Sequence, residues 1–576
     1  MQLEGYTELT ELAEGGMAKV YKARQTSLNR TVAIKFLSSE YLWDKDTKTM
    51  FDQESLVIAQ LNHPNIIHII DRGLTEKGRP YFVMEFIQGD DLSVLMKHDR
   101  LSIKEKADIL MQICKGMACA HKNGVIHRDI KPANILIDAD LHARVLDFGI
   151  AWLDASGRPE DIVGTPDYMS PEQFNAPASV THLSDIYSLG IVMYELFTGE
   201  LPTAYFDDLP ASMKSLPAAL SELINECLQK EIELRPQSAD EIRLRLLKIL
   251  QGAHIKKDLK TEAETVVGTK QNNFVLLDVI KKDIFGKVYL FENKTKNNLL
   301  VIKKRVKTMA GFKEASMLGH IKHDNIIKIL GTSKNDNAFI VVMEHLTGGS
   351  LQERLSRPYT IDKFKAIALP ICDAMHKAHK HKITHRNLRP GNILFDEKGK
   401  VKVTDFGFDE HYTGNRKEMD WYQCNDKSIE LKDRDLYSAG AIFYHMLTGE
   451  PVRFDHGRIQ SDSLFDELDE SLRNFLRNIM ERGESARFKS FKQIKSALKN
   501  IKSSSKDARV SAPKRTGVLN KSITGFKYAF IVLILINIIS VPVYFYLNPD
   551  KLGIAKVKLN SWYISIKKNE FFKSLK

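Results

Sequence analysis

The chain has 576 residues, enough for several domains with separate cores, and its composition is that of a globular protein. Its five cysteines, Cys114, Cys119, Cys227, Cys372 and Cys424, form no CxxC pair, which argues against a zinc ribbon or a disulfide framework and fits a reducing compartment. The net charge of +11 is carried by residues 501–527 (+6) and 548–576 (+5), which leaves residues 1–500 formally neutral, excludes a basic nucleic-acid-binding core and points to a membrane surface.

In chain order, Met1–Tyr6 has neither the basic nor the apolar stretch of a secretory signal, so none is expected. Glu11–Tyr21 is rich in small residues, with Gly15 and Gly16 at its centre. Val32–Lys35 has strand composition, Phe51–Leu61 reads as a helix carrying Glu54 and closed by Pro64, and Tyr81–Ile87 reads as an apolar strand. Val125-Ile126 and Ile135–Ile137 then read as strand edges around a polar loop, His127-Arg128-Asp129-Ile130-Lys131-Pro132-Ala133-Asn134. Asp147-Phe148-Gly149 follows the short strand Arg144–Leu146. The loop brings a carboxylate (Asp129), a cation (Lys131) and an amide (Asn134) to one spot, with a second carboxylate (Asp147) behind. That inventory suits phosphoryl transfer: one carboxylate orients a hydroxyl and takes its proton, the amide and the other carboxylate hold Mg²⁺ on the phosphates, and the lysine offsets charge on the moving group. An ordinary hairpin with polar tips does not require these residues in this order.

These motifs resemble the catalytic loop and DFG motif of the eukaryotic-type (Hanks-type) serine/threonine protein kinases. The GTPDYMSPEQ wording at 164–173 resembles the bacterial branch. The resemblance covers nearly all of residues 6–250 and implies roles for the remaining residues. Ala13, Glu14, Gly15, Gly16 and Val20 lie in the loop that covers ATP phosphates, with Ala13 and Ala18 in place of its first and third glycines. Ala33 lies beside Lys35, which reaches the α/β-phosphates with Glu54 as its ion-pair partner. Met84 guards the adenine pocket, or is a core methionine, or both, and Glu85–Ile87 form the hinge. Asp129 and Lys131 are catalytic, and Asn134 and Asp147 hold the metal. Gly164–Glu172 is the peptide-positioning segment, with Arg235 as partner to Glu172, and Asp185 holds the backbone of the catalytic loop. Arg128 implies activation by phosphate in the loop, with Ser156 or Thr165 as the acceptor.

The same wording returns 258 residues later, as His385-Arg386-Asn387 and Asp405-Phe406-Gly407. Lys303, Glu314, Met343-Glu344 and Asp435 match Lys35, Glu54, Met84-Glu85 and Asp185. Residues 271–500 therefore read as a second kinase-like domain after a linker at 251–270. Its chemistry is eroded. Asn387 replaces the catalytic aspartate, Arg389 the loop lysine, and Lys281 and Asp283 two loop glycines. The stretch from Asp405 to Asp435 is 30 residues against 38 from Asp147 to Asp185. This is the pattern of a pseudokinase. The surviving Lys303, Glu314, Asn392 and Asp405 either bind nucleotide or tie the two lobes together. His376, His379, His381 and His385 are not read as a metal site, because His379 and His385 repeat the spacing of His121 and His127.

Residues 501–527 read as a flexible basic tether, and 528–547, with 20 uncharged residues, as one transmembrane helix about 30 Å long. Asn537 near its centre could pair two chains as a homodimer. Residues 548–576 form a short basic tail. The expected protein is α+β, with tandem bilobal kinase folds (β-rich N-lobe, α-helical C-lobe) and one span. Its domains are a kinase at 6–250 and a pseudokinase at 271–500, both cytoplasmic at the cell membrane. It would transfer the γ-phosphate of ATP, with Mg²⁺, to protein substrates. Two alternatives are an ATP-binding scaffold with little turnover and a kinase of small molecules. Thr165–Glu172 and Asp185, which resemble parts of a peptide platform, argue against the second.

Overall fold

The computed structural model describes residues 3–501 apart from 16–17, 98–100, 149–165, 203–210, 268–272, 284–285, 307–308, 310, 335–337, 408–420, 425–427, 456–457, 461–462 and 482–486. Gly16, Ser156, Thr165, the side chain of Asp283 and the apolar segment 528–547 lie outside the described residues. Among those described, no helix is long and apolar enough to cross a membrane.

The chain opens with an antiparallel sheet of β1 (Tyr6–Glu14), β2 (Ala18–Gln25), β3 (Arg30–Leu37), β4 (Ile69–Leu74) and β5 (Pro80–Glu85), in the order β1-β2-β3-β5-β4. Strand β3 is central and buried on both faces. Val32, Ile34 and Phe36 fill the outer face with Tyr6, Ala23 and Val83, while Ala33 and Leu37 belong to the main core. This is the period-2 signature of a strand. Helix α1 (Lys45–Ala59) packs on the sheet through Phe51, whose ring lies 5.1 Å from that of Phe82.

The second layer is helical. β6 (Gly89–Asp91) and α2 (Leu92–Lys97) lead into α3 (Ile103–Lys122), which starts on a Ser102–Glu105 capping box and is almost fully buried along one side. β7 (Ile135–Asp138) and β8 (Ala143–Val145) carry the polar loop between α3 and Asp147. α4 (Pro171–Asn175), α5 (His182–Thr198), α6 (Ala218–Cys227) and α7 (Ala239–Leu250) complete this layer. Val125 and Ile126 are not strand residues. Val125 N instead bonds the Ala120 carbonyl at 3.0 Å and closes the end of α3, because buried backbone there is satisfied locally without a ladder.

The expected linker contains a helix, α8 (Lys257–Val267). Its Ala263 packs with Leu276, Tyr289, Phe291 and Ile302 on one face of a second sheet. That sheet comprises β9 (Phe274–Asp283), β10 (Gly286–Asn293), β11 (Asn298–Val306), β12 (Ile329–Lys334) and β13 (Ala338–Glu344), and its order, β9-β10-β11-β13-β12, repeats that of the first. α9 (Phe312–Leu318) occupies the place of α1. The helical layer below is α10 (Ile361–Lys380), the β14 (Ile393–Phe395)/β15 (Val401–Val403) ribbon, α11 (Leu431–Thr448), α12 (Glu470–Met480) and α13 (Phe491–Asn500).

The two halves are not independent beads. Leu277 on β9 and Leu290 on β10 are buried in the same apolar cluster as Leu246 and Leu247 of α7. Around this contact Arg243 stands 3.9 Å from Asp278, and Lys248 stands 3.4 Å from Glu292. We expect Leu290→Ala to cost about 2–5 kcal/mol of unfolding free energy. Denaturant titration of the full chain should show the first half losing stability with the second.

Candidate active site

One row of the first sheet builds the roof of the site. Ala13 on β1 faces Val20 on β2, Val20 faces Lys35 on β3, and Lys35 faces Phe82 on β5. Gly15 N donates to the Ala18 carbonyl at 2.9 Å and closes the turn, and Glu14 is paired with Lys19 at 2.6 Å. Met84 faces Ala33 across the β3–β5 ladder and is buried in the main core, so the core reading of Met84 holds. Ile87 packs at the edge of that core, and Glu85 Oε1 accepts from His68 N at 3.0 Å.

Lys35 is the hinge pin of the charge pattern. Its Nζ lies 3.2 Å from Glu54 Oε1 on α1 and 2.7 Å from Asp147 Oδ1 in the lower layer. Burial disfavours its charge, but Asp147 and Glu54 outweigh burial and raise its pKa. Burial pushes Glu54 up to about 6 against the pull of Lys35. Burial also opposes ionisation of Asp147, yet Lys35 holds that carboxyl below its usual value.

Below the roof, Lys131 Nζ is 2.9 Å from Asp129 Oδ2. Asn134 Nδ2 donates both to the Asp129 carbonyl at 2.8 Å and to Oδ2 at 2.9 Å. The amide nitrogen is thus committed to the loop, and the amide oxygen is left for a ligand. With the half-exposed carboxylate of Asp147, that oxygen forms the hard-oxygen donor pair that Mg²⁺ takes alongside phosphate oxygens, so the residues present fit the metal. Arg128 and Asp147 both have left-handed backbone, at φ 68° and 46°. Asp185 enforces the first of these: its Oδ2 and Oδ1 accept from the His127 and Arg128 amides, each at 2.8 Å. His127 Nε2 bonds the Leu146 carbonyl at 2.8 Å, and its ring lies 4.6 Å from that of the fully buried Phe148.

The segment after the loop is anchored as expected. Glu172 receives Arg235 Nη1 and Nη2 at 2.7 and 2.9 Å, and Ser184 Oγ at 2.7 Å. Burial opposes ionisation of Glu172, but these donors overcome it and pull the carboxyl down to about 2. Sequence reasoning missed Gln173, whose Nε2 donates to the Arg128 carbonyl at 2.9 Å and joins this segment to the catalytic loop. The spacing Ser170-Pro171-Glu172-Gln173 is the signal that could have revealed it, since it is a capping box.

In the second half, Asp435 repeats the anchor, accepting from the His385 and Arg386 amides at 2.8 Å each and meeting His379 Nε2 at 2.8 Å. His376 and His381 are exposed, so the four histidines do not converge. Lys303 meets Asp405 at 2.9 Å. Glu314, however, is paired with Arg386 Nη2 at 3.2 Å, where the match to Glu54 implied a lysine partner. Its carboxyl lies against Gly407, at φ 74°, where any Cβ would collide with it. Burial, with Arg305 and Lys281 nearby, brings Lys303 down to about 8 despite Asp405. Asn387 is buried and accepts from Gln423 Nε2 at 3.3 Å, and Asn392 donates to its carbonyl at 2.7 Å.

A strand roof with a buried lysine, over a loop that gathers Asp129, Lys131, Asn134 and Asp147, defines the class of the protein kinases. The sequence matches the protein kinase domain over residues 6–247 and 282–514, and the chain belongs to that family. A probable serine/threonine-protein kinase of Clostridium acetobutylicum is 38% identical over 252 residues, 40% of this chain and 38% of that protein. Serine/threonine-protein kinase PknB of Mycobacterium leprae is 36% identical over 263 residues, 42% of this chain and 42% of that protein. The PknI kinase domain of Mycobacterium tuberculosis is similar at 26% identity over 43% of this chain and 97% of that one, with a TM-score of 0.37. The chain spans about two fifths of the length of these curated relatives.

The Glu172–Arg235 pair predicts an acid-sensitive fold. Its stabilisation is complete above the ordinary glutamate pKa of 4.5 and is lost as pH falls toward about 2. Glu172→Gln, which strands a buried guanidinium, should cost about 3–5 kcal/mol near neutral pH. The gap in melting temperature between wild type and variant should close as the buffer is acidified.

Proposed function

We propose that residues 6–247 are a working serine/threonine protein kinase that moves the γ-phosphate of ATP to protein hydroxyls. The observation that carries this reading is Asp129. Its carboxylate is oriented by Lys131 and Asn134 on a loop locked by Asp185, while Lys35 already bridges Glu54 and Asp147. Asp129 aligns the substrate hydroxyl and receives its proton. Lys131 steadies the charge of the transferring group, and Lys35 grips the α/β-phosphates under the Ala13–Val20 hairpin. Mg²⁺, held by Asn134 and Asp147, supplies charge neutralisation on the phosphates when bound. Lys131 in the loop favours Ser/Thr over Tyr as acceptor, and Ser156 or Thr165 is the proposed activating phosphosite.

The second kinase-like half we read as catalytically silent. Asn387 cannot accept a proton, and Glu314 is engaged by Arg386 rather than positioning Lys303. The two lobe-spanning pairs, Lys303–Asp405 and Glu314–Arg386, support the reading that its surviving residues hold the lobes together. Its role is then regulation or docking. The apolar segment 528–547 between two basic stretches supports a single-pass membrane anchor. The need for cytosolic ATP places the kinase side within the cell, and Asn537 offers a contact for pairing two spans.

The test is phosphate transfer from labelled ATP-Mg by the full-length protein in lipid, to itself and to a basic protein. Asp129→Asn should lower transfer by about 10²–10⁴-fold, and chelating the metal should abolish it. Equal labelling by wild type and variant would refute Asp129 as the base. Binding of ATP with no transfer by either would favour the scaffold reading.

A further inference from the structure

The last turn of α3 is held by the second half of the chain. Lys122 Nζ bridges Asp240 on α7 at 2.7 Å and Glu353, from the second half, at 2.9 Å. Asn123 caps α3. Its Nδ2 donates to the Cys119 carbonyl at 2.8 Å and to the Glu353 carbonyl at 2.7 Å, and its Oδ1 accepts from Ser356 Oγ. The other carboxylate oxygen of Glu353 accepts from Ser350 N and Oγ at 2.9 and 2.8 Å, so the group is fixed before it meets Lys122. A helix end otherwise leaves its final carbonyls unsatisfied and frays. Here those carbonyls are satisfied locally, by Asn123 Nδ2 and the Asn123, Gly124 and Val125 amides, and a segment about 230 residues away in sequence holds the capping Asn123 side chain and Lys122 beside it.

This helix end is the mount of the catalytic loop. His121, the residue before Lys122, meets Asp185 Oδ2 at 2.8 Å. Asp185 in turn holds the His127 and Arg128 amides, and Asp129 comes next. From Glu353 to the catalytic aspartate the structure therefore offers a continuous run of direct bonds and adjacent residues: Glu353 to Lys122 and Asn123, His121 to Asp185, and Asp185 to the loop.

We propose that Glu353 is a positioning residue for the first active site. Its carboxylate fixes Lys122, and through that contact it sets the last turn of α3, keeps His121 on Asp185, and so holds the Asp129 loop in place. The second kinase-like half is then a buttress of the first one's catalytic loop. This rests on the reading of residues 6–247 as a working kinase. Displacing the loop by a fraction of an ångström would act on turnover and leave the nucleotide grip of Lys35 and the hinge intact.

The test uses the full-length protein with Glu353→Ala and, as a comparison, Lys248→Ala, which removes an interface ion pair remote from the end of α3. Two readouts are needed: kcat with KM for ATP, and hydrogen exchange of peptides spanning residues 121–130. We expect Glu353→Ala to lower kcat by about fivefold or more with KM for ATP little changed, and to speed exchange across 121–130. Lys248→Ala should match wild type in both. Unchanged exchange in Glu353→Ala, or an equal change in Lys248→Ala, would overturn the proposal. Absence of transfer by wild type would instead sink the kinase reading, and exchange would still decide whether Glu353 positions the loop.

Discussion

Asp185 has no accessible surface, yet against the effect of burial His121 and His127 hold its carboxyl below the usual pKa, and the Arg128 amide donates to it as well. A buried charge is tolerable only when its lone pairs are filled in this way. The arrangement also stabilises the left-handed turn at Arg128, which no side chain adopts without cost. The rest of the site follows from that turn. It points Asp129 outward, lets Asn134 reach back to the Asp129 carboxylate, and brings His127 against Phe148 and the Leu146 carbonyl, so the position of Asp147 is set by the same loop. Lys35 then closes the cleft from above.

The second half keeps this anchor and changes what it supports. Asp435, His379, His385, Arg386 and Asp405 reproduce the geometry, including φ values of 65° and 63° at Arg386 and Asp405. With Asn387 in place of an aspartate, the loop presents no base. The arginine that follows His385 turns to Glu314, and Lys303 pairs with Asp405 close to Arg305 and Lys281. The two lysines thus move in opposite directions from the same starting pKa: burial disfavours the charge of both, but Asp147 and Glu54 outweigh it at Lys35, which rises, whereas at Lys303 burial, with Arg305 and Lys281 nearby, outweighs Asp405 and brings it down to about 8. A fold can be conserved by its anchors while its charge pattern is rewritten.

Much of this was legible in the sequence because it is local. The loop His127–Asn134, the Asp147-Phe148-Gly149 motif and the strand composition of Val32–Lys35 each lie within a short window and carry a residue-type requirement, and the repeat at an offset of 258 residues is read by comparing two such windows. The pairing of Glu172 with Arg235 and the anchoring by Asp185 were long-range, but the resemblance to a known family supplied them. Gln173 and the exchange of partners at Glu314 escaped, since nothing in the local pattern around either residue records which distant group it will meet. The reading of Val125-Ile126 as a strand failed for a related reason: apolarity marks burial, and a buried residue at a helix end satisfies its backbone there without a partner strand.

The sequence by itself determined that two stretches of the chain carry kinase motifs, which residues of the first were expected to gather at one site, and which residues differ at the matching positions of the second. Those are statements about side-chain chemistry in fixed local frames. Only the tertiary structure decided that α8 covers the second sheet, that Leu277 and Leu290 are buried against the first half's α7, and that Glu353 meets Lys122 and Asn123 at the end of α3. Such contacts depend on which surfaces meet once both halves have folded. A glutamate and a lysine more than two hundred residues apart carry no mark of each other until packing brings them within hydrogen-bond reach.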